Sequence, residues 1–313
     1  MGLLVRAIEK ARALFGLEYR SAANFYTLRT MGVGLGKEHG KDMCRWLAYI
    51  GSPIYMESLL IRPVHSLINQ SIDAQRSVYA TNGDGFGIGW FDGRPEPGQY
   101  RDITPAWHDQ NLRDLSKHIR TSLFFAHVRA ATSTPVQRTN CHPFKHGRWL
   151  FQHNGSIGDF EKIKRELDFS IHSDLYPFMQ GCTDSETMFY LALTHGLESD
   201  PVKGLHGMAS AVCRAREKAG IEEHFRMTVS VSDGEHVVAA RFCAGGEAPS
   251  LYHSRSEKAL HEVCEDAKED ASQGVLILSE PLDDVSEHWE PIEAGTILTA
   301  HHKGVTTEAF APA

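Results

Sequence analysis

The chain is poor in the features that assign a protein quickly. It has only 6 Cys in 313 residues, at positions 44, 141, 182, 213, 243 and 264, and no Cys-x-x-Cys among them. That spacing suggests neither a disulfide framework nor a cysteine-built zinc cluster, and it points to a reducing compartment, the cytoplasm. There is no basic excess either. Lys and Arg number 32 against 40 Asp and Glu, a net charge of −8, and no tail or face gathers cations into a nucleic-acid groove. No apolar run approaches the roughly 18 residues of a membrane-spanning helix, and the strongest, such as GVLILSE, are strand-sized. The 18 His show no HExxH or comparable spacing, so neither a metal nor another cofactor is expected. Internal repeats and low-complexity linkers are also missing.

What remains is a chain with apolar content sufficient for a full core, 42% of residues. LAYIG, GFGIGWF, SLFFAHVRA and RWLFQHNG are short, aromatic or β-branched, and bounded by Gly, Asn or Asp, which predicts buried strands. FRMTVSVSDGEHVVAARF predicts two strands joined at Asp233-Gly234. LYHS, VLILS, TILTA and GVTTEAF continue as strands. TDSETMFYLALTHGL predicts a helix opened by a Thr183-x-x-Glu186 capping box, and LHGMASAVCRAREKAG one with Leu205, Met208, Ala209 and Val212 inward and Gly220 as its stop. Strand runs with hairpins and a few long helices define an α+β class, helices packed on largely antiparallel sheets.

Composition breaks at Met43. Residues 1–43 carry seven Lys/Arg and four Asp/Glu, leaving 25 against 36 for the rest. MGLLVRAIEKARALFGL predicts a short amphipathic helix without the apolar region and cleavage site of a secretory signal. GVGLGKEHG is not a phosphate loop, since Met31 stands where Gly is needed and Glu38 where Ser or Thr is needed. The expected organisation is an extension, 1–43, and one domain, 44–313.

Four short segments combine chemistry-bearing residues: Met43-Cys44, HVRAAT at 127–132, HNGSIGDF at 153–160 and TDSE at 183–186. Each has a structural reading alone. Cys44 beside Trp46 and Leu47 reads as a small buried hydrophobe, and Arg129 as an ion-pair partner. Asn154-Gly155 reads as a turn, and Asp184 as a carboxylate favoured in a helix's first turn. A papain-like dyad of Cys44 with His127 or His153, or of Cys141 with His142, lacks the local protease signatures. His142 and Pro143 read instead as a pocket wall. DGFGIG spaces its glycines alternately and precedes no helix, so it reads as a strand admitting close neighbours, not a dinucleotide fingerprint.

Taken in order, MCRWLAYIG, DGFGIGWF, AHVRAAT with NCHPF, HNG, TDSE and SEPL with Trp289 and Gly295 resemble the N-terminal nucleophile, class II glutamine amidotransferases. The likeness is greatest to stand-alone members such as the ergothioneine-pathway γ-glutamyl hydrolases. The resemblance covers residues 43 to about 300. It implies a four-layer αββα sandwich of two mainly antiparallel sheets between helices. It further implies that Cys44 becomes residue one, supplying both thiol and basic α-amine. Asn154 and the Gly155 N–H would stabilise the oxyanion, Arg129 with Thr132 would hold a substrate α-carboxylate, and Asp184 its α-ammonium. The implied reaction is cleavage of a γ-glutamyl amide in a small molecule through a cysteine thioester. Water, or a separate synthase subunit receiving ammonia, is the acceptor, and an inactive regulatory relative is the non-enzymatic alternative. A synthase subunit or a second copy of the chain is the partner class left open. An amide-blocked Cys44 would lack its base, so residues 1–43 are expected to be removed or never made.

Overall fold

The computed structural model describes residues 44–72, 81–131, 134–264 and 273–312. The extension 1–43 and Thr132 lie outside the described residues. Along the chain the elements are β1 (Arg45–Tyr55), α1 (Glu57–Leu60), α2 (Leu67–Ile72), β2 (Phe86–Phe91), β3 (Gly98–Asp102), α3 (Gln110–His118) and β4 (Arg120–Val128). There follow β5 (Phe144–His146), β6 (Trp149–Ile157), α4 (Phe160–Ser170), α5 (Asp184–Thr194), α6 (Pro201–Lys218), β7 (Phe225–Ser232) and β8 (Val237–Ala244). The last are β9 (Tyr252–Ser254), α7 (Glu257–Val263), β10 (Gly274–Leu278), β11 (Trp289–Pro291), β12 (Thr296–His301) and β13 (Gly304–Ala309).

One sheet has seven strands in the order β11-β9-β10-β1-β4-β2-β3, the other six in the order β13-β12-β8-β7-β6-β5. Every neighbouring pair is antiparallel. The strands read as continuous apolar runs because both faces are covered. In β1, Leu47 and Tyr49 pack under α1, α2 and α7, while Trp46, Ala48 and Ile50 face the other sheet. Strand β4 divides likewise, Phe124 and Ala126 toward helices, Leu123 and Phe125 inward. In the second sheet Val238 and Ala240 meet the α4–α6 layer, and Val237 and Ala239 the interior. Period-two alternation thus feeds three apolar layers, giving the αββα sandwich. Each fully buried Leu, Ile or Phe in them contributes about 1.5–3 kcal/mol.

Helix α5 is buried from Ser185 to Leu193, so it has no polar face and lies inside its layer. Thr183 caps it, its Oγ1 accepting from Glu186 N at 3.1 Å. The reciprocal half of the predicted capping box is absent. The Glu186 carboxylate instead accepts from Gln180 N and Gly181 N, at 2.8 and 2.7 Å, fixing the chain that leads into the helix. Helix α6 begins before the predicted apolar stretch, at Pro201 behind the Asp200 cap, and ends before Gly220, whose φ is +64°. The β7–β8 connection spans four residues, 233–236, with Gly234 at φ +97° and Glu235 N bonded to Asp233 Oδ1. Among the described residues no helix is long and apolar enough to cross a membrane.

His288 ties α7 to the segment entering β11. Its Nδ1 lies 2.7 Å from Asp283 Oδ2 and its Nε2 2.8 Å from Glu262 Oε2. Only the imidazolium donates from both nitrogens. Burial pushes its pKa down, but the two carboxylates outweigh burial and the net shift is upward. A raised folded pKa stabilises fully below the unfolded value, about 6.5, and that contribution is lost as pH rises through the folded value. The melting-temperature gap between the parent and His288→Gln should therefore close as pH rises from about 6 to about 9; a constant gap would exclude this linkage.

Candidate active site

Cys44 stands immediately before β1, whose neighbours are β10 and β4. Its Sγ lies 3.5 Å from Ala130 N and 3.6 Å from Ala130 O, just past the end of β4. Burial pushes the thiol pKa up. The Ala130 N–H and the Arg129 and Arg45 charges pull it down and Asp184 adds to the rise, leaving the net shift upward. An unassisted thiol here is protonated at neutral pH.

The loop carrying Arg129 is held by the DGFG stretch. Asp84 Oδ2 accepts from Ala131 N at 2.8 Å, Asp84 N donates to Arg129 O at 3.0 Å, and Arg129 N donates to Gly85 O at 2.8 Å. The predicted reason for these glycines holds at Gly87, where a Cβ would stand 2.2 Å from His142 O. Arg129 is 4% exposed. Its guanidinium donates to Asp84 O at 3.3 Å and Thr134 Oγ1 at 2.6 Å. No carboxylate pairs with it among the described residues. The ion-pair reading is thereby set aside, and a buried cation is left able to receive an anion.

Asn154-Gly155 is no turn. Both residues lie within β6, paired with Thr228 and Met227 of β7. Asn154 Nδ2 donates to the Cys44 carbonyl at 3.0 Å. Gly155 has φ +138°, and a Cβ there would meet Arg226 O in the paired strand at 1.9 Å. Gly155→Ala should destabilise the fold by about 3 kcal/mol or more, combining backbone strain with a rigid clash. Urea unfolding measures it, and a loss under about 0.5 kcal/mol would contradict this geometry.

Asp184 is the first residue of α5, consistent with its helix-start reading, and also reaches across to β6. Its Oδ2 accepts from Ile157 N at 2.9 Å and its Oδ1 from Ser185 N at 2.8 Å. Ser185 Oγ lies 2.8 Å from His153 Nδ1 and 3.3 Å from Asp184 Oδ1, linking HNG to TDSE. The NCHPF segment joins the same cluster, Asn140 accepting from Cys182 N at 3.0 Å and donating to Pro135 O at 2.9 Å. The structure thus gathers Cys44, Arg129, Asn154, Gly155 and Asp184 from four separated segments. It adds Asp84, Ser185, His153, Arg45 and Glu280, whose signal was motif membership alone.

The three histidines of these segments are poor bases. His127 and His142 stack with ring centroids 4.2 Å apart. Burial pushes the pKa of His127 down to about 3, that of His142 well below its ordinary value, and that of His153 down too. These rings are neutral and weakly basic. A cavity of about 420 Å³ lined by Glu280, Tyr252 and Trp289 includes none of the five gathered residues. The trio Asp233, Glu235 and His236 has metal-ligand proximity, but Arg148 lies 3.6 and 2.8 Å from its two carboxylates and satisfies them.

Two facing antiparallel sheets between helix layers, with a cysteine heading a central strand, define the N-terminal nucleophile sandwich. The chain belongs to the class II glutamine amidotransferases, whose family model matches residues 63–312, a stretch that begins after Cys44 and contains the other four. It is 34% identical over 291 residues to the probable glutamine amidotransferase DUG3 of Saccharomyces cerevisiae, covering 82% of this chain and 81% of that one. It is 24% identical over 270 residues to the gamma-glutamyl-hercynylcysteine sulfoxide hydrolase of Mycobacterium tuberculosis, covering 86% and 97%. The solved glutamine aminotransferase class-II domain protein of Silicibacter pomeroyi superposes with a TM-score of 0.66 at 34% identity, over 86% of this chain and all of that one. Glutamine PRPP amidotransferase of B. subtilis shares the fold, with a TM-score of 0.55 at 15% identity over 86% of this chain and 49% of that one.

Proposed function

We propose that the protein hydrolyses the γ-glutamyl amide bond of glutamine or a γ-glutamyl compound, with Cys44 as an N-terminal nucleophile. The observation that carries this reading is the Cys44 thiol against Ala130, one residue from a buried guanidinium without a carboxylate. The α-amine of Cys44, freed by loss of residues 1–43, takes the thiol proton, and sulfur attacks the γ-carbonyl. The oxyanion accepts from Asn154 Nδ2 and Gly155 N. Nδ2 carries two hydrogens, so one can stay on the Cys44 carbonyl while the other serves the oxyanion. Collapse expels ammonia or an amine, taking the proton, and leaves a thioester that water cleaves to glutamate. Arg129 with Thr132 holds the α-carboxylate and Asp184 the α-ammonium.

Water as acceptor is supported by the relative named as a hydrolase, which the chain matches over 97% of its length. All six cysteines are free thiols, which fits the cytoplasm. Protein beginning at Cys44 should release glutamate from at least one member of a panel of glutamine, γ-glutamyl dipeptides and γ-glutamyl thiol compounds. A folded sample inert toward the whole panel would sink the proposal.

A further inference from the structure

The Cys44-Arg45 and Ser279-Glu280 dipeptides come from opposite ends of the described chain and meet beside the proposed nucleophile. Arg45 is 0% exposed and Glu280 5%. Arg45 Nε donates to Glu280 Oε2 at 2.7 Å across 235 residues of sequence, and Arg45 Nη1 donates to the Cys44 carbonyl at 2.8 Å. Nη2 is buried without a hydrogen-bond partner. The backbone around the pair is anchored separately: Ser279 N donates to Trp46 O at 3.0 Å, Ser279 Oγ accepts from Trp46 N at 3.2 Å, and Gln70 Nε2 donates to Glu280 O at 3.2 Å. Burying two charges is a poor route to stability, since desolvation offsets their attraction. The distinctive result of this ion pair is the placement of Nη1 on Cys44.

That placement bears on chemistry once residue 44 is N-terminal. The residue then hangs from one peptide bond, and rotation about its Cα–C bond swings thiol and amine together. Its carbonyl is gripped by two donors, Arg45 Nη1 and Asn154 Nδ2. Asn154 is also assigned to the oxyanion, so Arg45 is the donor with no second duty. We propose that Arg45 and Glu280 form a buried positioning pair that fixes the Cys44 carbonyl and so aims thiol and amine at the substrate, Glu280 acting through Arg45. The inference rests on Cys44 being the nucleophile.

The test uses chains beginning at Cys44: the parent, Glu280→Gln, Arg45→Met, the double variant Arg45→Met with Glu280→Met, and Cys44→Ala. Arg45→Met should lower kcat about 100-fold with KM within about twofold, the signature of a misaimed nucleophile. Glu280→Gln, which keeps a hydrogen-bond acceptor for Nε, should lower kcat about 10-fold. The double variant strands no buried charge. It should melt closer to the parent than either single variant yet keep the kcat of Arg45→Met within about twofold, because Glu280 has no separate role. Iodoacetamide modification of Cys44, followed by mass against pH, needs no turnover. Its midpoint should move to higher pH in Arg45→Met, which removes the cation that favours the thiolate and leaves the Glu280 carboxylate in place.

A double variant with parental kcat, a loss carried by KM, or an unmoved alkylation midpoint would overturn the positioning pair. If Arg45→Met alone does not fold, the double variant and Glu280→Gln decide. Parental turnover by Cys44→Ala would instead overturn the nucleophile reading beneath it.

Discussion

Cys44→Ala, made in a chain beginning at residue 44, is expected to turn over γ-glutamyl substrates roughly 10⁴-fold or more below the parent. Without sulfur no thioester forms, and what remains is the modest help of substrate binding and oxyanion donors. The loss should not reflect misfolding. Cys44 is only partly buried and its sulfur makes two long contacts with Ala130, so unfolding free energy should change by no more than about 1 kcal/mol. Stopped assays for glutamate, paired with urea unfolding, separate the two effects. Mass analysis of quenched parent should show a glutamyl adduct on Cys44 that the variant lacks. Residual turnover above about a tenth of the parent in the variant would remove Cys44 from the chemistry.

The second large effect is expected from the peptide bond between Met43 and Cys44. A chain that keeps this bond, verified by intact mass, should fold yet lose at least about 100-fold in kcat/KM, the usual worth of a general base. An amide nitrogen has no basic lone pair. The thiol is pushed up by burial and needs proton removal. The neighbouring imidazoles do not substitute: His127, at about 3, is far too weak a base for a raised thiol. Protein isolated from its own cells should accordingly begin CRWLAYIG. Full activity in a verified uncleaved chain would require a side-chain base and a different mechanism.

Much of the fold was legible where long elements are buried on both faces, though the short buried helices α1 and α2 were not. The LAYIG run within β1, the two strands around Asp233-Gly234 and helix α5 behind Thr183 all announce themselves in local pattern. Helix α3 does not, because only Leu112 and Ser116 of its nine residues are buried. Phe160, Ile163 and Leu167 of α4 carry helical spacing, a signal obscured by the strand-rich neighbourhood. In the candidate site, motif order named the residues that the structure brings together, whereas it did not name their supports. The Arg45–Glu280 contact and the Ser185 link between His153 and Asp184 join residues distant in sequence, and no local periodicity encodes them. Asn154-Gly155 shows the converse: a dipeptide suited to a turn sits within a strand because Gly155 must let Arg226 O approach.

The pairing of β1 with β10 sets Leu47 opposite Leu278 and Gly51 opposite Gly274. The first strand of the described residues therefore waits for one of the last. At the usual pace of synthesis, about 5–20 residues per second, more than 200 residues separate them and the interval is roughly 10–50 s. During that time β4 can already flank β1 on one side, while the other side and the Glu280 contact of Arg45 are still missing. The surroundings of Cys44, with Glu280 against Arg45, therefore take their final shape only after β10 has added its edge.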